Sequence, residues 1–367
     1  MVREKTPAAI QQTDKRITGY DLARGIAITI MLFINFRESL VFTAAEPQWF
    51  YQGIDFFRFR AAAALVMVSG AGVTLLARSG SVTVNKNAGS ILFKRALFLF
   101  VCGYLLMSIW EADILHFYGA FLLAGIWLLN RSDRTLLVLA VFFWLAGIIH
   151  LFNIESLFEG ILERGGIGGL LADIFVTGFY PVFPWLAYFI FGMWLCRRKA
   201  SDIQNMWKLW VAGLILVAVP QLSYLAGSLF FDLVEYLTHF TVDGSGIEKL
   251  TDHILIPLVY IIYHLSALSD LGVGILIILT GLQLGKKRGF LNKNWLIIAG
   301  QTSLSLYVFH IIFMWVVDLF LYGTDLSEPA LFLFLTVFFF VAYLSLMSCW
   351  LKKFSKGPLE LLMRRVF

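Results

Sequence analysis

The sequence predicts an all-α, polytopic integral membrane protein. Of its 367 residues, 59% are hydrophobic and 14% are charged, and the mean hydropathy is +0.80. A soluble domain typically carries about 25% charged residues. The apolar residues form long runs, and a run of about 20 residues is enough to cross a bilayer as a helix. Together these observations predict about ten transmembrane helices and argue against a soluble enzyme.

The ten apolar runs follow one another along what we interpret as a single membrane domain, residues 1–367. In order they are residues 22–44, 58–77, 94–111, 113–130, 135–152, 180–196, 208–230, 255–285, 296–322 and 329–351. The 255–285 run is long and has Pro257 near its start, so an intact helix and a broken one are both open there. Residues 354–367 set leucines against basic residues, which predicts an amphipathic tail along the cytoplasmic membrane surface.

The distribution of positive charge predicts the orientation. If both termini are cytoplasmic, 24 of the 29 Lys and Arg residues fall in cytoplasmic segments. The positive-inside rule therefore predicts an N-in, C-in topology. Membrane orientation also explains the net charge of +5 better than nucleic-acid binding does.

Several common catalytic motifs do not occur in the sequence. It has no Walker loop, GxSxG elbow, HExxH motif or Rossmann glycine pattern, which argues against a nucleotide hydrolase or a common soluble hydrolase. The three cysteines form no CxxC pair, so no metal or redox site is predicted.

The first apolar run carries polar residues at both ends of its hydrophobic length. On a helix that turns about 100° per residue, Arg24, Met31 and Asn35 share one stripe, and Asp21 lies beside it. Polar groups inside a membrane are costly to bury and are functional candidates for that reason. The alternative is that Asp21 and Arg24 form an ion pair that holds neighbouring helices together at the membrane surface.

Two histidines are the strongest candidates for acid–base chemistry. His116 follows Asp113 by three residues, so both side chains point the same way if a helix has begun. A carboxylate beside an imidazole fixes its tautomer and supports a general base; otherwise His116 is a loop residue at the headgroup level. His310 shares a helix face with Ser303 and Tyr307, and it either lines a substrate path or packs against another helix.

These stretches together resemble the transmembrane acyltransferase superfamily that contains heparan-α-glucosaminide N-acetyltransferase and the YeiB-like bacterial proteins. Asp21, Arg24 and Gly25 resemble the family's opening D-x-x-R-G-x-A signature, and Asn35 resembles its downstream Asn. Further family blocks are similar to residues 113–116, 183–197, 300–305 and 357–364.

The resemblance implies a membrane enzyme that takes an acyl group, most readily acetyl, from cytosolic acyl-CoA. The acceptor would be a glycan, a lipid or a small molecule on the outer side of a bacterial cytoplasmic (inner) membrane, and homo-oligomers are left open. The CoA phosphates would bind basic residues at the cytoplasmic face. The candidates are Arg24 with its neighbour Asp21, Lys94, Arg95, Arg197 and Arg198.

The resemblance also suggests catalytic roles. Asn35 is expected to stabilise the oxyanion or orient the acceptor, and His116, oriented by Asp113, is expected to be the general base. His310 is the competing base. The glucosamine acetyltransferases carry a functional histidine in the loop after the signature helix; this chain has none there, and a loose alignment puts Glu46 in its place.

Two other classes of function remain alternatives. A transporter or flippase for a polar or lipid-linked substrate would use the same polar stripe and midplane histidine to line its path. Inverted repeats would favour a transporter, and none is visible. A structural or sensing protein ranks last because it would leave the clustered His, Asp and Asn residues without a role.

Overall fold

The structure, a computed structural model, is helical in every part that it describes. It describes residues 18–39, 48–78, 82–147, 166–198, 206–238, 256–286, 294–321 and 329–366, and these ranges contain no β-strand. The predicted all-α class is therefore confirmed. Glu46, one of the predicted catalytic residues, lies outside the described residues.

The helices are numbered here in chain order. The first seven are α1 (Thr18–Ser39), α2 (Gln48–Phe57), α3 (Arg60–Arg78), α4 (Val82–Leu106), α5 (Leu115–Leu128), α6 (Asp133–Ala146) and α7 (Gly166–Ala172). A π-helical turn, Asp173–Thr177, continues directly from α7. The remaining helices are α8 (Val182–Arg197), α9 (Met206–Thr238), α10 (Ile256–Leu284), α11 (Trp295–Gln301), α12 (Ser303–Leu321), α13 (Pro329–Trp350) and α14 (Pro358–Val366).

Within the described ranges, seven helical segments are long and apolar enough to cross a membrane. They are Thr18–Ser39, Gln52–Arg78, Asn87–Leu106, Met206–Leu229, Leu265–Leu284, Ser303–Phe320 and Leu331–Trp350. An eighth span results if Gly166–Thr177 and Val182–Arg197, which meet at 63°, count as one bent span. The protein is thus an integral membrane protein, while ten spans and the N-in, C-in topology remain predictions.

The structure decides two details of the predicted helices. The 255–285 run is not broken, because Pro257 falls in the first turn of α10, where a missing backbone N–H is tolerated. The 296–322 run is broken instead at Thr302, which has φ −116° and ψ 28° and separates α11 from α12. The break leaves the backbone N–H groups at the start of α12 without partners inside that helix.

Helix α1 lies at the centre of the bundle and packs against α3, α10, α11 and α12. Paired glycines bring α1 and α11 into backbone contact. A Cβ on Gly25 would collide with the carbonyl of Leu296, and a Cβ on Gly300 would collide with the carbonyl of Asp21. Small residues allow membrane helices to approach this closely, and the contact holds the polar start of α1 against the end of α11.

Apolar and polar side chains are distributed as expected for a protein in lipid. Large apolar side chains on the outer helices are widely exposed, including Leu222 at 63% and Phe334 at 63%. The most deeply buried polar side chains of the described residues lie at the start of α5 and in the region of α10 to α12. They are at most 1% exposed: Asp113, His116, Ser269, Thr302, Ser305 and His310. Polar groups inside a membrane bundle need partners or a water-filled cavity, so their contacts indicate the functional region.

Candidate active site

Asp113 and His116 form a buried pair at the start of α5. The Oδ2 atom of Asp113 accepts the backbone N–H groups of Leu115, at 2.9 Å, and of His116, at 3.2 Å, and so caps the helix. The same oxygen lies 3.1 Å from Nδ1 of His116. The predicted contact between the two side chains is confirmed, because the cap oxygen and the imidazole lie on the same side of the first turn.

A second carboxylate faces the other side of the imidazole. Oδ2 of Asp173 lies 3.0 Å from Nε2 of His116. Each ring nitrogen of His116 therefore faces a carboxylate oxygen. A neutral imidazole carries one N–H, so both contacts are hydrogen bonds only if a second proton is present, on the ring or on one of the two carboxyl groups. Asp173 lies in the π-helical turn, 57 residues beyond His116, and no local pattern in the sequence connects the two.

Tyr307 on α12 completes this group, which we call the carboxylate–histidine cluster: Asp113, His116, Asp173 and Tyr307. The Tyr307 hydroxyl donates to Oδ1 of Asp113 at 3.1 Å and accepts the backbone N–H of Ile114 at 3.1 Å. Asp113 thus accepts hydrogen bonds on both of its oxygens. The cluster ties α5, the π-helical turn and α12 together.

Helix α4 passes directly behind the cluster. A Cβ on Gly103 would lie 2.5 Å from Oδ2 of Asp113 and closer still to the backbone nitrogen of His116. A glycine at this position therefore lets the α4 backbone contact the start of α5.

Asn35 and His310 form a second polar pair. The amide nitrogen of Asn35 lies 3.1 Å from Nε2 of His310, which is fully buried. With the amide as donor, Nε2 carries the lone pair and the ring proton resides on Nδ1. Tyr307 lies one turn earlier on α12, with its ring centroid 5.1 Å from that of His310. The pair is therefore adjacent to the carboxylate–histidine cluster.

A cavity of about 280 Å³ leads to this region from the opposite end of the same helices. Four cationic side chains line its one end, which we call the cationic end: Arg24, Arg95, Lys356 and Arg364. Arg24 and Arg364 are close enough to Arg95 to repel its charge. Towards the other end the lining is mostly apolar. The wall there includes Tyr307, a member of the cluster, and Ile114, whose backbone N–H donates to the Tyr307 hydroxyl.

The start of α1 contributes to the cationic end through Arg24. Arg24 lines the cavity and lies 3.7 Å from the carboxylate of Asp21. The side chain of Gln301 reaches Asp21 at 3.4 Å, and Arg24 donates to the carbonyl of Gly300 at 3.5 Å. The ion pair therefore joins α1 to α11 while Arg24 still faces the cavity, so the structural and the functional interpretations of this pair are compatible.

The other predicted phosphate-binding residues divide into two groups. Arg95 lines the cavity, whereas Lys94, Arg197 and Arg198 do not. Arg197 donates to backbone oxygens of the turn between α5 and α6, and both Arg197 and Arg198 pair with Asp133, at 3.3 Å and 3.6 Å. These two arginines connect α8 to that turn, and any role of theirs in ligand binding remains a prediction.

Fold and site together define a class of protein: a helical membrane protein in which a cationic cavity leads to buried acid–base groups. Residues 16–241, more than half of the chain, match the family model described as heparan-alpha-glucosaminide N-acetyltransferase, catalytic. Residues 245–367 match the family described as protein of unknown function DUF418. The chain belongs to the first of these families, which implies a transferase and confirms the resemblance. Comparisons with curated proteins and with solved structures gave no match.

Proposed function

We propose that the protein is a membrane acyltransferase that moves an acyl group, most readily acetyl, from cytosolic acyl-CoA to an acceptor on the extracytoplasmic side. One observation carries the proposal: a single cavity connects four cationic side chains with the wall of the carboxylate–histidine cluster. Acyl-CoA has a matching polarity, since its nucleotide end is polyanionic and its long arm ends in a neutral thioester.

The cationic end would bind the phosphates of the donor. Arginine guanidinium groups form paired hydrogen bonds with phosphate oxygens, which suits Arg24 and Arg95. The apolar walls beyond them, which include Met31 and Leu99, would contact the uncharged arm of the donor that carries the thioester. The thioester would then come to rest beside Tyr307. In the N-in, C-in orientation the cationic end faces the cytosol, where the donor is found.

The reaction is a nucleophilic substitution at the thioester carbonyl. The acceptor's amine or hydroxyl gives up a proton to a base and attacks the carbonyl carbon, forming the new C–N or C–O bond. Hydrogen-bond donors stabilise the tetrahedral oxyanion. The intermediate collapses with cleavage of the C–S bond, and the CoA thiolate takes up a proton as it leaves.

The geometry favours His310 as the base. Its Nε2 holds a lone pair in the contact with Asn35, and the pair lies one turn beyond the apolar end of the cavity, towards the acceptor's side. A substrate hydroxyl or amine would take the place of Asn35 at Nε2. The Asn35 amide would then be free to donate to the oxyanion.

In this proposal His116 is a positioning residue. Both of its ring nitrogens face carboxylates, so neither is open towards a substrate. It holds Asp113, and Asp113 in turn holds the Tyr307 hydroxyl at the wall of the cavity. The acceptor, a glycan, lipid or small molecule of the cell envelope, would approach from the outer side of the bacterial inner membrane.

Donor binding is the first test. Purified full-length protein in neutral-lipid nanodiscs is titrated with acetyl-CoA, longer acyl-CoAs and CoA by calorimetry. Saturable binding is expected, and Arg24→Ala should weaken it about 10-fold or more, since hydrogen bonds between charged groups contribute about 1.5–3 kcal/mol. Arg134→Ala is the matched control, because Arg134 is an exposed arginine that does not line the cavity. Failure of the folded wild-type protein to bind any of these compounds refutes the proposal.

Acyl transfer itself is the second test. Proteoliposomes are supplied with labelled acetyl-CoA outside and candidate envelope acceptors inside, or in the reverse arrangement. A covalently labelled acceptor together with released CoA thiol identifies a transferase. Label that crosses the membrane without forming a new covalent product identifies a transporter, the alternative considered from the sequence.

A further inference from the structure

The C-terminal helix α14 is fastened to the start of α12 by a set of hydrogen bonds that we call the Glu360 clasp. Oε1 of Glu360 accepts the backbone N–H groups of Leu304, at 2.9 Å, and of Ser305, at 3.2 Å. Oε2 accepts the Ser305 hydroxyl at 2.5 Å. That hydroxyl in turn accepts the backbone N–H of Leu359 at 3.0 Å.

The clasp satisfies groups that the break at Thr302 leaves without helical partners. N–H groups in the first turn of a helix have no acceptor inside the helix, and a carboxylate placed there also interacts favourably with the helix dipole. Ser305 is fully buried, so its hydroxyl depends on protein partners. At the start of α14, Trp350 donates to the carbonyl of Lys356 at 2.8 Å and stacks on Phe354 at 4.2 Å. Helix α14 is therefore docked through its first turn and through the residues just before it.

The docked helix carries two of the four cations of the cavity. Lys356 and Arg364 line it from α14 and the residues before it, together with Arg24 of α1 and Arg95 of α4, and Arg364 lies close to Arg95. Among the described lining residues the acidic one is Glu360, which accepts three hydrogen bonds in the clasp. Among the described residues that line the cavity, four are cationic and one is acidic, so positive charge predominates there whatever the contacts of each side chain.

We propose that α14 forms half of the phosphate-binding site for the donor, with Lys356 and Arg364 binding nucleotide phosphates together with Arg24 and Arg95. The inference rests on the proposed function. It assigns a binding role to a segment that the sequence analysis places on the membrane surface. Because four cationic side chains line one cavity, the favoured ligand has more than one phosphate group for them to bind.

This arrangement predicts how affinity depends on the donor's phosphates. Acetyl-CoA carries a diphosphate and a separate phosphate on the ribose, its dephospho form carries the diphosphate alone, and S-acetylpantetheine carries none. Affinity should fall in that order. Loss of the α14 cations should affect acetyl-CoA strongly and S-acetylpantetheine hardly at all, because the latter has no group for them to bind.

The test measures the affinity of these three compounds for the full-length protein in neutral-lipid nanodiscs. The variants are Lys356→Gln and Arg364→Gln, which keep polar side chains. Lys352→Gln and Arg365→Gln are the controls: both are exposed basic residues of the same segment that do not line the cavity. Each cavity variant should weaken acetyl-CoA binding about 10-fold, and each control should stay within about twofold of wild type.

The outcomes separate this inference from the proposed function. If wild type binds acetyl-CoA and the cavity variants match their controls, α14 is not part of the site, and the proposed function stands. If wild type binds none of the three compounds, the proposed function fails as well. An equal loss of affinity for S-acetylpantetheine indicates a disturbed fold and overturns the inference. In a further arm, phosphatidylglycerol is added to the nanodisc. If it competes with acetyl-CoA for the wild-type protein and this competition is lost in Arg364→Gln, the cations bind lipid headgroups instead.

Discussion

The Glu360 clasp gives a prediction whose magnitude follows from the structure. Replacing Glu360 with Ala removes the acceptor of three hydrogen bonds, at 2.9, 3.2 and 2.5 Å, and removes a negative charge from the start of α12. A bond to a charged acceptor contributes about 1.5–3 kcal/mol, and water regains part of this at a half-buried site. We expect α14 docking to lose about 3 kcal/mol, which corresponds to an increase of about 100-fold in local opening.

Hydrogen–deuterium exchange with peptide-level mass spectrometry measures this opening directly. In Glu360→Ala, amides at the start of α12 and along α14 should exchange about 100-fold faster, while α1 and α3 keep their wild-type rates. Glu360→Gln should show a smaller increase because one amide oxygen can still accept. Asp318→Ala, which removes an exposed acidic residue from the far part of α12, is the control. Unchanged exchange at Leu304 and Ser305 in Glu360→Ala would show that the clasp does not hold α14.

Three further predictions concern the active site. His310→Gln and Asn35→Ala should each lower the rate of acyl transfer about 100-fold or more while acetyl-CoA affinity stays within about twofold, because they act on the acceptor; equal losses in affinity would contradict this. Asp173→Asn should keep most of the transfer rate if His116 only positions Asp113, so a loss as large as that of His310→Gln would reassign the base to His116. Gly103→Ala should destabilise the protein by about 1–3 kcal/mol in an unfolding assay and reduce transfer, since its Cβ crowds Asp113; wild-type stability would show that α4 can move aside.

Part of the active site follows from local spacing in the sequence. The three-residue separation of Asp113 and His116 brings their side chains together because any helix start would do so. The stripe from Arg24 through Met31 on α1 faces the cavity for the same reason, and Asn35 continues it towards His310. These relations depend only on the geometry of one helix, so periodicity in the sequence predicts them.

The contacts between helices did not follow from the sequence. Asp173 meets His116 across 57 residues, Asn35 meets His310 across 275, and Glu360 meets Ser305 across 55. Periodicity describes the faces of one helix but not which helix lies opposite. In lipid this ambiguity is greater, because apolar faces towards lipid and towards other helices have similar composition.

The same distinction between local periodicity and helix packing explains why two sets of basic residues have different surroundings. The sequence places a basic residue at the end of an apolar run at the cytoplasmic face, but it does not predict which groups that residue contacts. Only packing decides that Lys356 and Arg364 turn into the cavity while Arg197 and Arg198 pair with Asp133. Because Lys and Arg side chains are long, residues at similar positions in the sequence can either enter the cavity or pair with a neighbouring carboxylate.

The sequence by itself determined the membrane class, the all-helical fold and the family, because hydrophobic run length and short motifs are local properties of the chain. Tertiary structure alone decided which polar groups meet. Close backbone contacts, such as Gly25 against Leu296 and Gly300 against Asp21, fix the neighbours of α1. Those neighbours bring the cavity, the carboxylate–histidine cluster and the Asn35–His310 pair together, since partners for buried polar groups in a membrane must come from adjacent helices.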